Sequence, residues 1–282
     1  MSIATAITAA QGKVADAYTA ISNKGGTLPA TQNLSNMPTA IASIPTSTPS
    51  TFLGFSADTW AGLSISNSGV LSKTSFVVQG YGERPHLTGS LDFSAVTSIA
   101  TAEVLLEKFI GQYDLTGTVN FSNCTSITGN RALREAFVNS SITVFNFSGL
   151  VSIQADEVFN GCCSGATALA SIDFSNLEEV IGNYVFQNAF QDCYLTTASF
   201  DKLETISGNQ VFAYTFQGNN RLVSLSFPAL NSVTGTNVFA DMLYNCDGVT
   251  VHFPTAMQSV LGNDPAVVAG FGGTNITVLF DL

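Results

Sequence analysis

Eight phenylalanines divide most of this chain into equal lengths. Phe93, Phe121, Phe147, Phe174, Phe200, Phe227, Phe253 and Phe280 are separated by 28, 26, 27, 26, 27, 26 and 27 residues. A period this regular describes a stacked solenoid, in which each unit buries its apolar face only against its neighbours. Two residues before each Phe stands a second apolar or small side chain: Leu91, Val119, Phe145, Ile172, Ala198, Leu225, Val251 and Val278. That alternation is the mark of a short strand, so each repeat is expected to contribute one strand with the Phe ladder inside.

Three residues after the Phe comes Val96, Cys124, Leu150, Leu177, Leu203 or Leu230, and six after it Ile99, Ile127, Ile153, Val180, Ile206 or Val233. The strand is therefore expected to run into a packed loop. Gly129, Gly182, Gly208 and Gly235 then mark a turn, usually followed by Asn or Thr as a helix cap. Beyond it, apolar residues stand four apart: Leu133 and Phe137, Phe159 and Cys163, Phe186 and Phe190, Phe212 and Phe216, Phe239 and Leu243. Spacing of i, i+4 puts both on one face of a short helix. A parallel all-β helix is the rival fold, against which the i, i+4 pairs argue.

The unit reads L-x-x-x-[LIV]-x-F-x-x-L-x-x-[IV], a Gly-Asn turn, then [FL]-x-x-x-F and often Cys. In "FSNLEEVIGNYVFQNAFQDCYL" and "FPALNSVTGTNVFADMLYNCDGV" it resembles the leucine-rich repeats of BspA-like surface proteins, with about three extra residues per unit and an expanded helical arm. The resemblance covers residues 86–282. It implies an α/β leucine-rich-repeat solenoid, a right-handed β-α superhelix of about seven repeats of 26 to 28 residues, whose strand face is the concave one and the usual place for partners. Flanking each Phe, that face carries Asp92, Ser94, Asn120, Ser122, Asn146, Ser148, Asp173, Ser175, Ser199, Asp201, Ser226 and His252, the candidate binding residues. Small polar ladders of this kind also keep an exposed sheet soluble.

Charge narrows the partners. Nine Lys and Arg against twenty Asp and Glu give a net charge of −11, which argues against nucleic acid, whose phosphates need clustered cations. No stretch approaches the roughly 18 consecutive apolar residues of a membrane span. No catalytic constellation, metal-ligand spacing or cofactor motif emerges: His86 and His252 stand far apart in the repeat register, and the carboxylates flank strand positions. A carboxylate pair for glycoside hydrolysis is the sharper alternative reading. Four of the five cysteines fall on core positions, Cys124, Cys163, Cys193 and Cys246, leaving Cys162 unplaced. Two rungs separate Cys193 from Cys246 by about 10 Å, beyond the roughly 7 Å that a disulfide bridges, so reduced structural thiols are expected.

Ahead of the repeats, Ile3, Ile7, Val14 and Ile21 belong to a heptad-like apolar seam that stops at Gly25 and Gly26. The domains are expected to be a helical attachment and oligomerisation segment over 1–46, a linker and strand-rich cap over 47–85, and the solenoid over 86–282. The seam predicts a homo-oligomer. "MSIATAITAAQGKVADAYTAI" has neither the basic start nor the unbroken apolar core of a signal peptide. "AYTAISNKGGTLPATQNLSNMPTAIASIP" looks like the short helix, KG-turn and "P..I..IP" module of tail-associated and fibre proteins in phages and prophages. That resemblance implies a non-enzymatic virion component made in the host cytoplasm, a tail, fibre or host-recognition protein whose partners are other virion proteins or a bacterial surface protein or glycan. A BspA-like adhesin on the bacterial cell surface is the alternative, and a glycan-acting enzyme the third.

Overall fold

The computed structural model describes residues 14–15, 17–18, 30–31, 33, 63–65, 70–73, 89–105, 111 and 115–282. Contacts divide the chain into two units, Met1–Trp60 and Ala61–Leu282. In the first, residues 14, 15, 17 and 18 are helical, and the buried Tyr18 donates its hydroxyl to the Asn33 carbonyl at 2.8 Å. Val14 of the seam is half-buried, while Ile3, Ile7 and Ile21 lie outside the described residues.

The second unit is a solenoid of stacked parallel strands with about seven turns. Its first strands, β1 (Leu63–Ile65) and β2 (Val70–Lys73), are antiparallel to each other. Each following coil opens on a strand that ends at its Phe or just before it: β3 (Leu91–Asp92), β5 (Thr118–Asn120), β7 (Val144–Asn146), β9 (Ser171–Asp173), β11 (Thr197–Ser199), β13 (Ser224–Ser226), β15 (Thr250–Phe253) and β16 (Thr277–Phe280). They form two four-stranded parallel sheets, β3-β5-β7-β9 and β11-β13-β15-β16. Register follows the phenylalanines: Leu91 lies opposite Val119, Val119 opposite Phe145, Phe145 opposite Ile172, and Leu225 opposite Val251.

Each of the first six coils carries a second strand where a loop was expected. These are β4 (Ser98–Ile99), β6 (Ser126–Ile127), β8 (Ser152–Gln154), β10 (Glu179–Ile181), β12 (Thr205–Ser207) and β14 (Ser232–Thr234), joined with β1 and β2 in one eight-stranded sheet. Ile99, Ile127, Ile153, Val180 and Ile206 point inward from them and are buried. Two or three residues cannot show alternation by themselves, and only pairing with the coils above and below makes them strands.

The largest correction concerns the arm that follows. The i, i+4 pairs are buried as expected, but the arm is a run of tight turns and not a helix. Alternate N–H groups leave their own coil: Arg131, Leu133, Glu135, Phe137 and Asn139 donate to the carbonyls of Asp156, Val158, Asn160, Cys162 and Ser164 at 2.7–2.9 Å. Between them, Arg134, Ala136 and Ser140 donate three residues back. An α-helix sends every N–H to residue i−4 and turns about 100° per residue, so apolar positions repeated every four residues drift about 80° over eight. Here the repeat is four because every fourth residue is left-handed: Arg131, Glu135 and Asn139; Glu157, Gly161 and Gly165; Tyr184, Asn188 and Asp192; Gln210, Tyr214 and Gly218; Asn237, Asp241 and Asn245. Strand, strand and turn-arm therefore replace the β-α unit, and the stack takes the parallel β form that the i, i+4 pairs argued against. Helical turns occur in the last coil, at Gln258–Leu261 and Pro265–Val268, the latter capped by the Asp264 carboxylate accepting from the Ala266 N–H at 2.8 Å.

Three side-chain columns fill the core. The aligned phenylalanines stack nearly parallel, with centroids 4.3 Å apart for Phe93 and Phe121, 5.3 Å for Phe200 and Phe227 and 5.4 Å for Phe227 and Phe253. Phe159, Phe186, Phe212 and Phe239 form a second stack at 5.1–5.9 Å. They meet the first stack edge-on, as Phe186 does Phe174 at 87°, the arrangement favoured by the ring quadrupole. The third column holds Cys193, Asn219 and Cys246, whose role goes beyond filling space. Each donates to a carbonyl of the preceding coil: Cys193 Sγ to Cys163 at 3.3 Å, Asn219 Nδ2 to Phe190 at 2.7 Å and Cys246 Sγ to Phe216 at 3.1 Å.

All five cysteines are buried free thiols. Burial pushes the Cys124 thiol from its ordinary 9.0 up to about 12 and Cys246 up to about 11, and raises Cys193 and Cys163 as well. A proton held in the folded state beyond the unfolded value stabilises the fold fully below pH 9, and that contribution is lost as pH rises toward the folded value. The thermal midpoint is therefore expected to fall between pH 9 and 12. At pH 8 the native protein should leave all five thiols unreactive toward Ellman's reagent until denaturant is added. A thiol that reacts in the native state, or a Cys193–Cys246 link found by mass spectrometry, would contradict this packing.

Candidate interaction faces

The twelve strand-face residues line one side of the coils and none is buried. Their polar groups are largely engaged with one another. "DFS" at 92–94, "NFS" at 120–122 and 146–148 and "DFS" at 173–175 are Asx turns, in which the Asp or Asn oxygen accepts the Ser N–H two residues on, at 2.9, 3.2, 2.9 and 3.0 Å. An Asx residue with Ser two places later is a legible signal for this turn. The amides continue along the stack, Asn120 Nδ2 donating to Asp92 Oδ1 at 3.1 Å and Asn146 Nδ2 to Asn120 Oδ1 at 3.1 Å. Hydrogen bonds from the Ser94 hydroxyl and N–H, helped by Asn120, hold the Asp92 carboxyl below its ordinary range. Ser199 Oγ meets Asp201 and lies 2.8 Å from Ser226 Oγ, and His252 Nδ1 lies 3.0 Å from Asp281 Oδ1. The face is a pre-ordered polar ladder that ends each strand.

A second ladder lies at the corner between the eight-stranded sheet and the arm. Asn130, Asn183 and Asn209, expected as caps for their own coils, together with Asp156 accept N–H groups of the next one: Asp156, Asn183, Asn209 and Thr236 donate to Asn130, Asp156, Asn183 and Asn209 at 3.0, 2.7, 2.9 and 2.9 Å. Beside them runs a shallow open groove of about 500 Å³ floored by Gly182 and Gly208.

The outer face of the arm changes character along the stack. In the early coils it is an ion-pair network: Arg131 with Glu157 at 3.0 Å and Glu103 at 3.6 Å, and Arg134 with Glu157 at 2.8 Å and Glu135 at 3.3 Å. In residues 184–192, 210–218 and 237–245 no Lys, Arg or His occurs; Tyr, Gln, Asn and Asp take the register positions of Arg131 and Glu135, and Gln187, Ala213 and Ala240 that of Arg134. Amides bridge these coils, Asn160 Nδ2 to Gln187 Oε1 at 3.0 Å and Gln187 Nε2 to Gln210 Oε1 at 3.1 Å. None of the twelve strand-face residues is a Phe, Tyr or Trp on which a sugar could stack. Tyrosines stand here instead, and their spacing by coil was readable from the repeat alignment.

Among the described residues, no three His, Cys, Asp or Glu side chains group where a metal ion could be held, and no helix is long and apolar enough to cross a membrane. Compared with known proteins, the chain matches no family model, no curated protein and no solved structure.

Proposed function

We propose that this chain is a non-enzymatic structural and binding protein of a phage or prophage particle, a tail, fibre or host-recognition component, with repeats of the leucine-rich, BspA-like kind. The observation that carries the binding half of this reading is the solenoid itself: stacked coils hold long, rigid columns of surface side chains at a fixed spacing, which suits recognition of an extended partner. On the strand face Asp92 and Asp173 cap turns, Asp92 also joins the amide ladder and Asp201 accepts from the Ser199 hydroxyl, an arrangement that serves rigidity. The virion assignment rests on the N-terminal resemblance. In it, residues 1–46 attach or oligomerise and the repeats face outward.

Light scattering and thermal melting of the full chain beside residues 47–282 test the attachment half. The truncated protein should melt cooperatively as a monomer, and the full chain should associate or enter particles. A full chain that is monomeric and never enters a particle would sink the attachment role, as would a truncation that fails to fold. A surface adhesin of the BspA-like type is the alternative, and gene neighbours encoding virion proteins would separate the two.

A further inference from the structure

Tyr184, Tyr214 and Tyr244 come from three consecutive coils, each one step further along the arm. Together they draw a diagonal over two rungs of about 4.8 Å and two lateral steps. Tyr244 is 45 % exposed, and the other two are half-exposed. Tyr184 and Tyr214 sit at φ +58° and +54°. The left-handed region is unusual for a bulky residue. The left-handed turn is common to all the arms, and the same columns hold Asn237 and Asn188 as well as Arg131, Glu157 and Gln210.

The chemistry around the diagonal selects the partner. The Tyr214 hydroxyl lies beside the Asp241 carboxylate, whose hydrogen bond and charge raise the phenol's pKa. Gln191 donates to Asp192 at 3.1 Å, so the flanking groups are amides and carboxylates already held in place. Aromatic faces are electron-rich and attract C–H edges, while amide and carboxylate oxygens accept hydroxyl protons. These arm segments carry no Lys, Arg or His, the Arg221 guanidinium lying past them over the Tyr194 ring at 4.5 Å, and a chain of net charge −11 repels anions. We propose that the outer arm face of these three coils binds an uncharged oligosaccharide, stacking successive sugar rings on the tyrosine diagonal. The inference rests on the reading of the chain as a binding protein and places the partner on a different face from the strand ladder.

The test uses the full chain on an array of neutral gluco-, galacto- and manno-oligosaccharides of different lengths, with poly-lysine as a separate probe. The parent protein is expected to bind at least one oligosaccharide. The double variant Tyr184→Asn/Tyr214→Asn should lose binding at least tenfold while its melting temperature stays level or rises, because Asn suits the left-handed conformation. Tyr244→Ala should weaken the same interaction, and Asn120→Ala on the strand face should not. Equal binding by the double variant, a marked fall in its melting temperature, or capture by poly-lysine alone would overturn the proposal. Loss on Asn120→Ala with the tyrosine variants unaffected would overturn it while the binding-protein reading stands. Silence of every probe would count against both.

Discussion

Phe200→Ala should destabilise the protein by roughly 3 to 5 kcal/mol, the usual cost of truncating a buried Phe to alanine. Phe200 is wholly buried and belongs to both directions of aromatic contact. It stacks on Phe174 at 5.8 Å and Phe227 at 5.3 Å, and meets Phe186 and Phe212 edge-on at 5.8 and 5.2 Å. Removing the ring opens a void bounded by coils whose backbones are tied to each other above and below, so collapse around it is limited. Because coils support only their neighbours, the loss should appear first as local opening near coils four to six, visible as hydrogen exchange at the Phe174 and Phe227 strands. An unchanged urea midpoint would mean the phenylalanine ladder is not the core.

Gly208→Ala should cost roughly 2 to 4 kcal/mol despite adding one methyl group. Gly182, Gly208 and Gly235 stack at φ of +150°, +153° and +125°, a region that side chains rarely enter. A Cβ on Gly208 would be driven into the Gly182 carbonyl oxygen, and one on Gly235 into that of Gly208. These oxygens belong to the backbone and cannot swing aside. The Gly208 N–H also donates to the Thr234 carbonyl at 3.0 Å, so moving the chain to relieve the contact disturbs the next coil. Gly248→Ala is the matched control: its φ is also positive, +70°, but nothing lies near its added Cβ. It should lose only the cost of the backbone conformation, about 1 kcal/mol. Equal urea midpoints for the two variants would show that close approach between coils is not what demands Gly208.

The stacking period, the strand register and the inward ladder are properties of the sequence itself. A Phe returning every 26 to 28 residues can be buried only if the chain comes back to the same place one rung higher, and Leu91, Val119 and Phe145 then fall opposite one another. Burial of the i, i+4 pairs was legible for the same reason. Their conformation was not, because an α-helix and a chain of four-residue turns both bring positions such as Phe186 and Phe190 to one face. Asn188 and Asp192, spaced four apart and each two residues after one of the pair, favour the turn, since neither supports a helix interior and both accept the left-handed state. Only the adjacent coil decides it: once the Asn209, Val211 and Ala213 carbonyls stand within reach of the Tyr184, Phe186 and Asn188 N–H groups, bonds between coils satisfy the backbone that a helix would have satisfied within itself. The second strand of each coil and the Asn ladder share this origin. Ser126 and Ile127 are too few to be a strand alone, and Asn183 meets the Asn209 N–H only because coils stack in register.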